Sequence, residues 1–450
     1  MSARAARRAT DREILRLAVP AFGALVAEPL FLLADSAIVG RLGTAPLAGL
    51  GIAGSVLASA IGIFVFLAYG TTAAVARRVG AGDLRSAVED GIDGMWLALL
   101  IGVGTAALAF ALAPQVVGVF DPSAVVAEQA VTYLRWSLPG LPAMLVVLAA
   151  TGILRGLQDT RTPLAVAAAG AAANVVLSVA LVHGAGMGIA GSALGTVIAQ
   201  LGMAAAFLVV VGRAARRTSA SLAPDVPGVV RVARAGVPLL VRTLTLRAAL
   251  LVTTYVAVAQ GDAELAAHQV ATVLWGFLAL ALDAVAIAGQ ALTGRALGAG
   301  DAAGARAATR RMVLWGTGAG VLLGGLVLAL RGPLAPLFSP EVEVQGALVA
   351  VLVVVAVTQP LAGYVFVLDG VLIGAGDGRY LARAGLVTLA AYLPLVALVL
   401  WSPLSGTAGL VWLWIAFAGG FMLARAVTLG LRLRSGEWLV LGAVRGATGR

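Results

Sequence analysis

Residues Arg77 to Asp83 read RRVGAGD, and 218 positions further on Arg295 to Asp301 read RALGAGD. The same ungapped shift carries Val19-Pro20 onto Val237-Pro238 and Leu47-Ala48 onto Leu265-Ala266. It carries Phe120 and Pro122 onto Phe338 and Pro340, and Leu154, Gly156, Asp159 and Arg161 onto Leu372, Gly374, Asp377 and Arg379. Gly188, Ala190 and Gly191 fall on Gly406, Ala408 and Gly409. A chain rich in Ala, Gly and Leu produces scattered coincidences. It does not hold one register across matching polar loop residues, so the chain is two copies of one unit.

The unit is a membrane unit. The chain has 450 residues, 61% of them hydrophobic and 12% charged, against roughly 25% charged in soluble domains. Apolar stretches of the ~20 residues that span a bilayer fall near 14–39, 47–70, 92–113, 131–152, 163–182, 188–211, 235–259, 265–293, 312–336, 348–374, 383–401 and 407–430. Lysine is absent, so all 31 basic residues are arginine. They gather before the first span (Arg4, Arg7, Arg8, Arg12) and after each even-numbered one, as Arg77, Arg78 and Arg85 do after the second. Intervening loops hold few, chiefly Arg41 and Arg331. By the positive-inside rule both termini are expected in the cytoplasm. The expected fold is an all-α integral membrane protein of twelve transmembrane helices in two six-helix bundles.

An even number of helices brings each unit in and out on one side, so a pseudo-two-fold along the membrane normal is expected to relate the bundles. Parallel repeats of this kind are a transporter architecture, with substrate near the repeat interface. The expected division is a first bundle at 1–212, a polar cytoplasmic linker at 213–228, and a second bundle at 229–450.

Absences narrow the function. The net charge of +10 would suit nucleic acid, but the arginines sit between apolar spans and read as topology. No nucleic-acid partner is expected. Without cysteine there is no disulfide or thiol catalysis, and without lysine no Walker A loop. His183 and His268 sit near loops with no metal-ligand spacing and read as satisfied loop residues. Nothing resembles a hydrolytic triad or paired carboxylates, so no enzyme, metal or cofactor is expected. Met1 to Asp11 is polar and arginine-rich, and the apolar stretch after it is too long for a cleaved signal.

Ionisable groups inside apolar spans are costly and mark function. Asp35 lies near the outer end of the first span, roughly 10 Å deep at about 1.5 Å per residue. Counting from the outer ends brings Asn174 and Ser178, one turn apart on the fifth helix, and Thr196 on the sixth to that depth. A carboxylate, an amide and two hydroxyls make a candidate proton or cation site. Pro20 and the pair Glu28-Pro29 are candidate hinges in helix one, because proline removes a backbone hydrogen bond. In the second half Arg242, Asp283 and Asp369 lie 18 to 21 residues from their outer ends, with Arg247 one turn further out. They are expected to form an ion-pair network in the cytoplasmic third of the bilayer, structural or switch-like. The GAGD loops read as turns, glycine supplying positive φ and aspartate capping the next helix.

Glu28 to Gly43 (EPLFLLADSAIVGRLG), Leu154 to Pro163 (LRGLQDTRTP), Ala266 to Asp301, Asn174 to Gln200, and Leu368 to Asp377 (LDGVLIGAGD) together resemble the multidrug and toxic compound extrusion (MATE) family, its DinF-like branch most of all. The resemblance runs from about 14 to 430. It implies antiport in a multi-pass bacterial inner-membrane protein working as a monomer among membrane lipids. Organic, often cationic, drugs or toxic metabolites leave in exchange for protons or sodium. It further implies that Asp35 is the main coupling residue, that Asn174 and Thr196 belong to the same site, and that helix one bends near Pro20. Where relatives often carry a second aspartate this chain has Ser178, and where they often carry asparagine it has Thr151. One carboxylate fewer compensates a sodium ion less well, so proton coupling is favoured. The alternative is an exporter or flippase of a specific endogenous metabolite, organic acid or lipid-linked precursor, which Arg242 and Arg247 keep open. In the repeat register Asp35 falls on Thr253, Asn174 on Tyr392, Ser178 on Val396, Asp283 on Val65 and Asp369 on Thr151. The scaffold repeats and the ionisable residues do not.

Overall fold

The computed structural model describes residues 3–443, and no strand forms among them. The side chains of Arg4 and Arg7 lie outside the described residues. Twelve helices are long and apolar enough to cross a membrane. In the first half they are α1 (Arg8–Gly40), α2 (Thr44–Gly80), α3 (Leu84–Ala111), α4 (Ala124–Gly156), α5 (Arg161–Gly184) and α6 (Ile189–Thr218). In the second they are α7 (Val226–Val258), α8 (Asp262–Gly298), α9 (Ala302–Phe338), α10 (Val342–Gly374), α11 (Gly378–Trp401) and α12 (Gly406–Ser435). Every apolar stretch read from the sequence has its helix. The helices overrun the stretches, because lipid sets where a span must be apolar while turn residues set where the helix stops.

The GAGD loops show the stop signal. Gly82 and Gly300 adopt φ of 79° and 76°, a left-handed backbone that L side chains rarely take. Asp83 then accepts from the Ser86 amide at 3.0 Å, and Asp301 from the Gly304 amide at 2.7 Å, capping α3 and α9. The Ser86 hydrogen bonds also hold the Asp83 carboxyl below the usual carboxylate range.

Proline marks the irregular places differently. Pro139, in the 3₁₀ turn Leu138–Gly140, and Pro142 just after it interrupt α4, whereas α1 carries Pro20 and Pro29 without a break in its helix. Small residues let spans approach closely, as membrane helices require. On α9, Gly316, Gly320 and Gly324 face α10, and a Cβ at Gly320 would come 2.8 Å from the Pro360 Cα.

Two compact units emerge. One holds Pro20 to Gly236, the other Val237 onward together with the segment before Pro20. This differs from the division expected at 1–212 and 229–450 at both ends, for a physical reason. Asp11 on α1 accepts from Arg311 Nη2 at 2.6 Å and from Trp315 Nε1 at 2.8 Å, both on α9, and Glu13 pairs with Arg295 at 3.5 Å. In the other unit the start of α7 is held by Arg231 to Asp90 at 3.2 Å, and the Asp225 amide donates to Asp93 at 3.1 Å. These bonds tie the beginning of each unit's leading helix to the other sequence half, and hydropathy carries no sign of them.

Candidate functional site

The Pro20–Gly236 unit holds an open cavity of about 480 Å³. Its walls come from α1, α2, α4, α5 and α6 and are mostly apolar, with Phe31, Met144, Met203 and Phe207 among the larger side chains. Three charged residues line it: Glu28, Asp35 and Arg155.

Asp35 is 1% exposed. One carboxylate oxygen accepts from the Tyr133 hydroxyl of α4 at 3.0 Å, and the other accepts from the Ser192 hydroxyl of α6. Thr196, one turn beyond Ser192, donates to the Ser192 carbonyl at 3.1 Å and accepts from Asn174 Nδ2 at 2.9 Å. The Ser178 hydroxyl reaches Asn174 Oδ1 at 3.4 Å. The four residues grouped by depth thus lie in one chain of buried polar groups. Asp35 and Asn174 are joined through α6, not directly. Tyr133 and Ser192 complete the chain and were missed. Ser192 was findable, since it sits four residues before Thr196 and so on the same helix face. Every buried polar atom in such a site needs a partner, and these hydroxyls supply them to the carboxylate.

The proline positions fall differently. Pro20 stands at the unit boundary. Glu28 lines the cavity two turns from Asp35 on the same face of α1.

In the second unit Asp369 of α10 is clamped by Arg242 of α7 and by Arg425 of α12, the latter at 3.1 Å. Arg425 is the member that sequence reading missed, hidden in the flank of the last span. Of the four residues expected together, Arg242 and Asp369 meet directly, Asp283 is half-buried on α8, and Arg247 is exposed. His268 is no loop residue. It is buried within α8, its Nε2 is 3.2 Å from the Thr254 hydroxyl, and its ring packs on Trp414. Among the described residues no group of His, Cys, Asp or Glu could hold a metal ion.

In the repeat register the second unit carries different side chains at the positions that build this cavity. Asp35 corresponds to Thr253 and Asn174 to Tyr392, and these two bond each other at 2.6 Å. Tyr133, Ser192 and Thr196 correspond to Val351, Leu410 and Trp414, all buried. Leu57, Ala199 and Met203 on the cavity wall correspond to Trp275, Phe417 and Phe421. Trp275 meets Phe417 edge-on at 5.2 Å, and Tyr392 lies 5.4 Å from Phe421. Part of α12 here, Ile415–Phe421, is wound as a π-helix, a widening common at specialised sites. The clamp continues the pattern: Arg242, Asp369 and Arg425 replace Ala24, Thr151 and Phe207, three further residues of the cavity wall.

Comparison with known proteins agrees with this architecture. The MatE family profile matches twice, over residues 20–180 and 238–398, in the same 218-residue register. The chain is 31% identical to Protein DETOXIFICATION 44 of Arabidopsis thaliana over 452 residues, covering 95% of this chain and 84% of that one. It is 28% identical to DNA damage-inducible protein F of Escherichia coli over 376 residues, covering 81% of each. Among solved structures, a MOP superfamily transporter from Pyrococcus furiosus superposes with a TM-score of 0.86 at 22% identity, covering 95% of this chain and 96% of that one. The Vibrio cholerae MATE transporter VcmN does so with a TM-score of 0.86 at 22% identity, covering 96% and 99%. The chain therefore belongs to the MatE family of multi-pass membrane proteins, whose members are multidrug and toxic compound efflux transporters and not enzymes.

Proposed function

We propose that this protein is a proton-coupled antiporter that exports organic, often cationic, compounds through the cavity of its first unit. The observation that carries the reading is Asp35, a carboxylate buried at the wall of a large apolar cavity and held by hydroxyls from two other helices. As an anion it accepts from both. Taking up a proton makes one of its oxygens a donor, so the hydroxyl of Tyr133 or Ser192 must turn to accept. Occupancy of Asp35 is thereby linked to how α1 is held against α4 and α6. A proton on Asp35 cancels a negative charge at the cavity wall that a cationic cargo would otherwise feel, and that opposition is what exchange requires. Asn174, Thr196 and Ser178 tune the site through Ser192, and Pro20 is the point at which α1 bends.

Two features support this reading over its rivals. A sodium ion takes several oxygen ligands, and here both oxygens of the single carboxylate already accept hydrogen bonds. Arg242 is paired with Asp369 and Arg247 is exposed, so neither lines this cavity, where two carboxylates stand against the single arginine Arg155. We place the protein in a bacterial inner membrane as a monomer with cytoplasmic termini, following its arginine-rich loops.

Flux of a fluorescent cation in proteoliposomes, with proton and sodium gradients imposed separately, tests the proposal. A proton gradient alone should drive export, and Asp35→Asn should abolish it while leaving insertion and melting intact. Export driven only by sodium would overturn proton coupling, and unchanged flux in the variant would remove Asp35 from the mechanism.

A further inference from the structure

Glu28 is the acidic group of the cavity lining whose chemistry the coupling site does not use. It lies seven residues before Asp35, two turns along α1 and on the same face, about 10 Å away along the axis at ~1.5 Å per residue. Its side chain is exposed and forms part of the cavity lining. It has no hydrogen-bond or ion-pair partner among the described residues. Asp35 differs on each count, being fully buried and bonded at both oxygens.

The surroundings of Glu28 fit a ligand better than a fold. Phe31 stands one turn along α1, and Phe207, Met144 and Met203 line the same space. Phenyl rings attract cations over their faces, and thioethers adapt to varied apolar shapes. The remaining charge is Arg155, buried near the end of α4. An unpartnered carboxylate beside aromatic and thioether walls, in about 480 Å³ of space, has the chemistry of an organic-cation pocket. Had Glu28 been a structural helix residue, a partner on α2, α4 or α5 would be expected, because an unpaired charge inside a membrane is costly.

We infer that Glu28 is the cargo-recognition residue of this cavity, selecting lipophilic organic cations over neutral molecules of the same shape. This rests on the efflux reading above and divides labour along α1. Asp35 handles the coupling proton, and Glu28 reads the charge of the cargo. The Pro29 that follows removes a backbone hydrogen bond from the same turn, which leaves the carboxylate on a less constrained stretch of helix.

Equilibrium binding to the purified full-length protein in lipid nanodiscs at pH 8 tests this, with two probes of similar shape: tetraphenylphosphonium, a permanent cation, and triphenylphosphine oxide, which is neutral. Binding needs no gradient, so the result is independent of what drives transport. Glu28→Gln should weaken the cation by about tenfold or more, a loss of at least ~1.4 kcal/mol, and leave the neutral probe unchanged. Glu28→Asp, which keeps the charge, should restore most of the cation affinity. Retained neutral binding certifies that the variant's cavity is intact. Equal loss of both probes would assign Glu28 to packing or hinging and overturn the inference. Unchanged cation binding would overturn it as well, while leaving proton-driven efflux through Asp35 standing.

Discussion

Replacing Asp369 by asparagine asks whether the clamp of the second unit is scaffold or machinery. The aspartate is 5% exposed, and the side chains of Arg242 and Arg425 are 13% and 9% exposed. One carboxylate therefore compensates two guanidinium groups away from water. Asp369→Asn keeps the shape and removes the charge, leaving both arginines uncompensated by it. Removing one partner of a buried ion pair typically costs about 3–5 kcal/mol. At roughly 2–4 °C per kcal/mol for a unit of this size, the melting point should fall by roughly 6–20 °C. The assay is thermal unfolding of the purified protein followed by tryptophan fluorescence. A second substitution, Arg425→Met, returns the local net charge to its original value and should recover at least half of the loss, a coupling that a double-mutant cycle isolates. Below both melting points, flux should persist, because the clamp lies outside the first unit's cavity. A shift under about 2 °C would mean that the pair contributes nothing measurable. Lost flux with unchanged melting would make Asp369 part of the transport machinery.

Two further outcomes follow from local geometry. Asp83→Ala removes the cap of α3 and should cost about 1 kcal/mol, visible as a lower melting point above pH 5. Because the folded state lowers this carboxyl from its usual value of 3.8, its contribution is present above that value and fades as the pH falls through the folded one. The variant and the parent should therefore converge in acid. Gly320→Leu should destabilise by about 1–3 kcal/mol or more through overpacking against α10. Gly318→Leu, at a position where a Cβ meets nothing within 4 Å, should melt like the parent. Similar melting of the two leucine variants would show that α9 and α10 do not pack as described.

The twelve spans, the repeat and the GAGD turns were legible because their causes are local. Lipid dictates the length of an apolar run, and a Gly-Asp pair fixes a turn whatever surrounds it. Asp35, Asn174, Thr196 and Ser178 were legible because depth follows from counting along a helix. Tyr133 was not, since it meets Asp35 across 98 positions of sequence and only the packing of α4 on α1 brings them together. Arg425 escaped for the opposite reason: an arginine at the edge of a span reads as topology until the fold turns it inward. The unit boundaries escaped because the bond that moves α1's first residues, Asp11 to Arg311, spans 300 positions.

What the repeat hid was volume. Its register shows ionisable residues in different places, but not why two units of one shape carry different chemistry. The structure supplies the reason in side-chain size. Leu57, Ala199, Met203 and Thr196 bound open space in the first unit, where the second has Trp275, Phe417, Phe421 and Trp414. Larger aromatic groups stand at the four corresponding positions and pack in the second unit's hydrophobic core. A carboxylate at Thr253 would be buried beside these rings at a cost, and the chain places a hydroxyl there bonded to Tyr392. Buried in the second unit, Asp369 is matched by two arginines. The open wall of the first unit imposes no such constraint, and it is there that Glu28 stands unpaired.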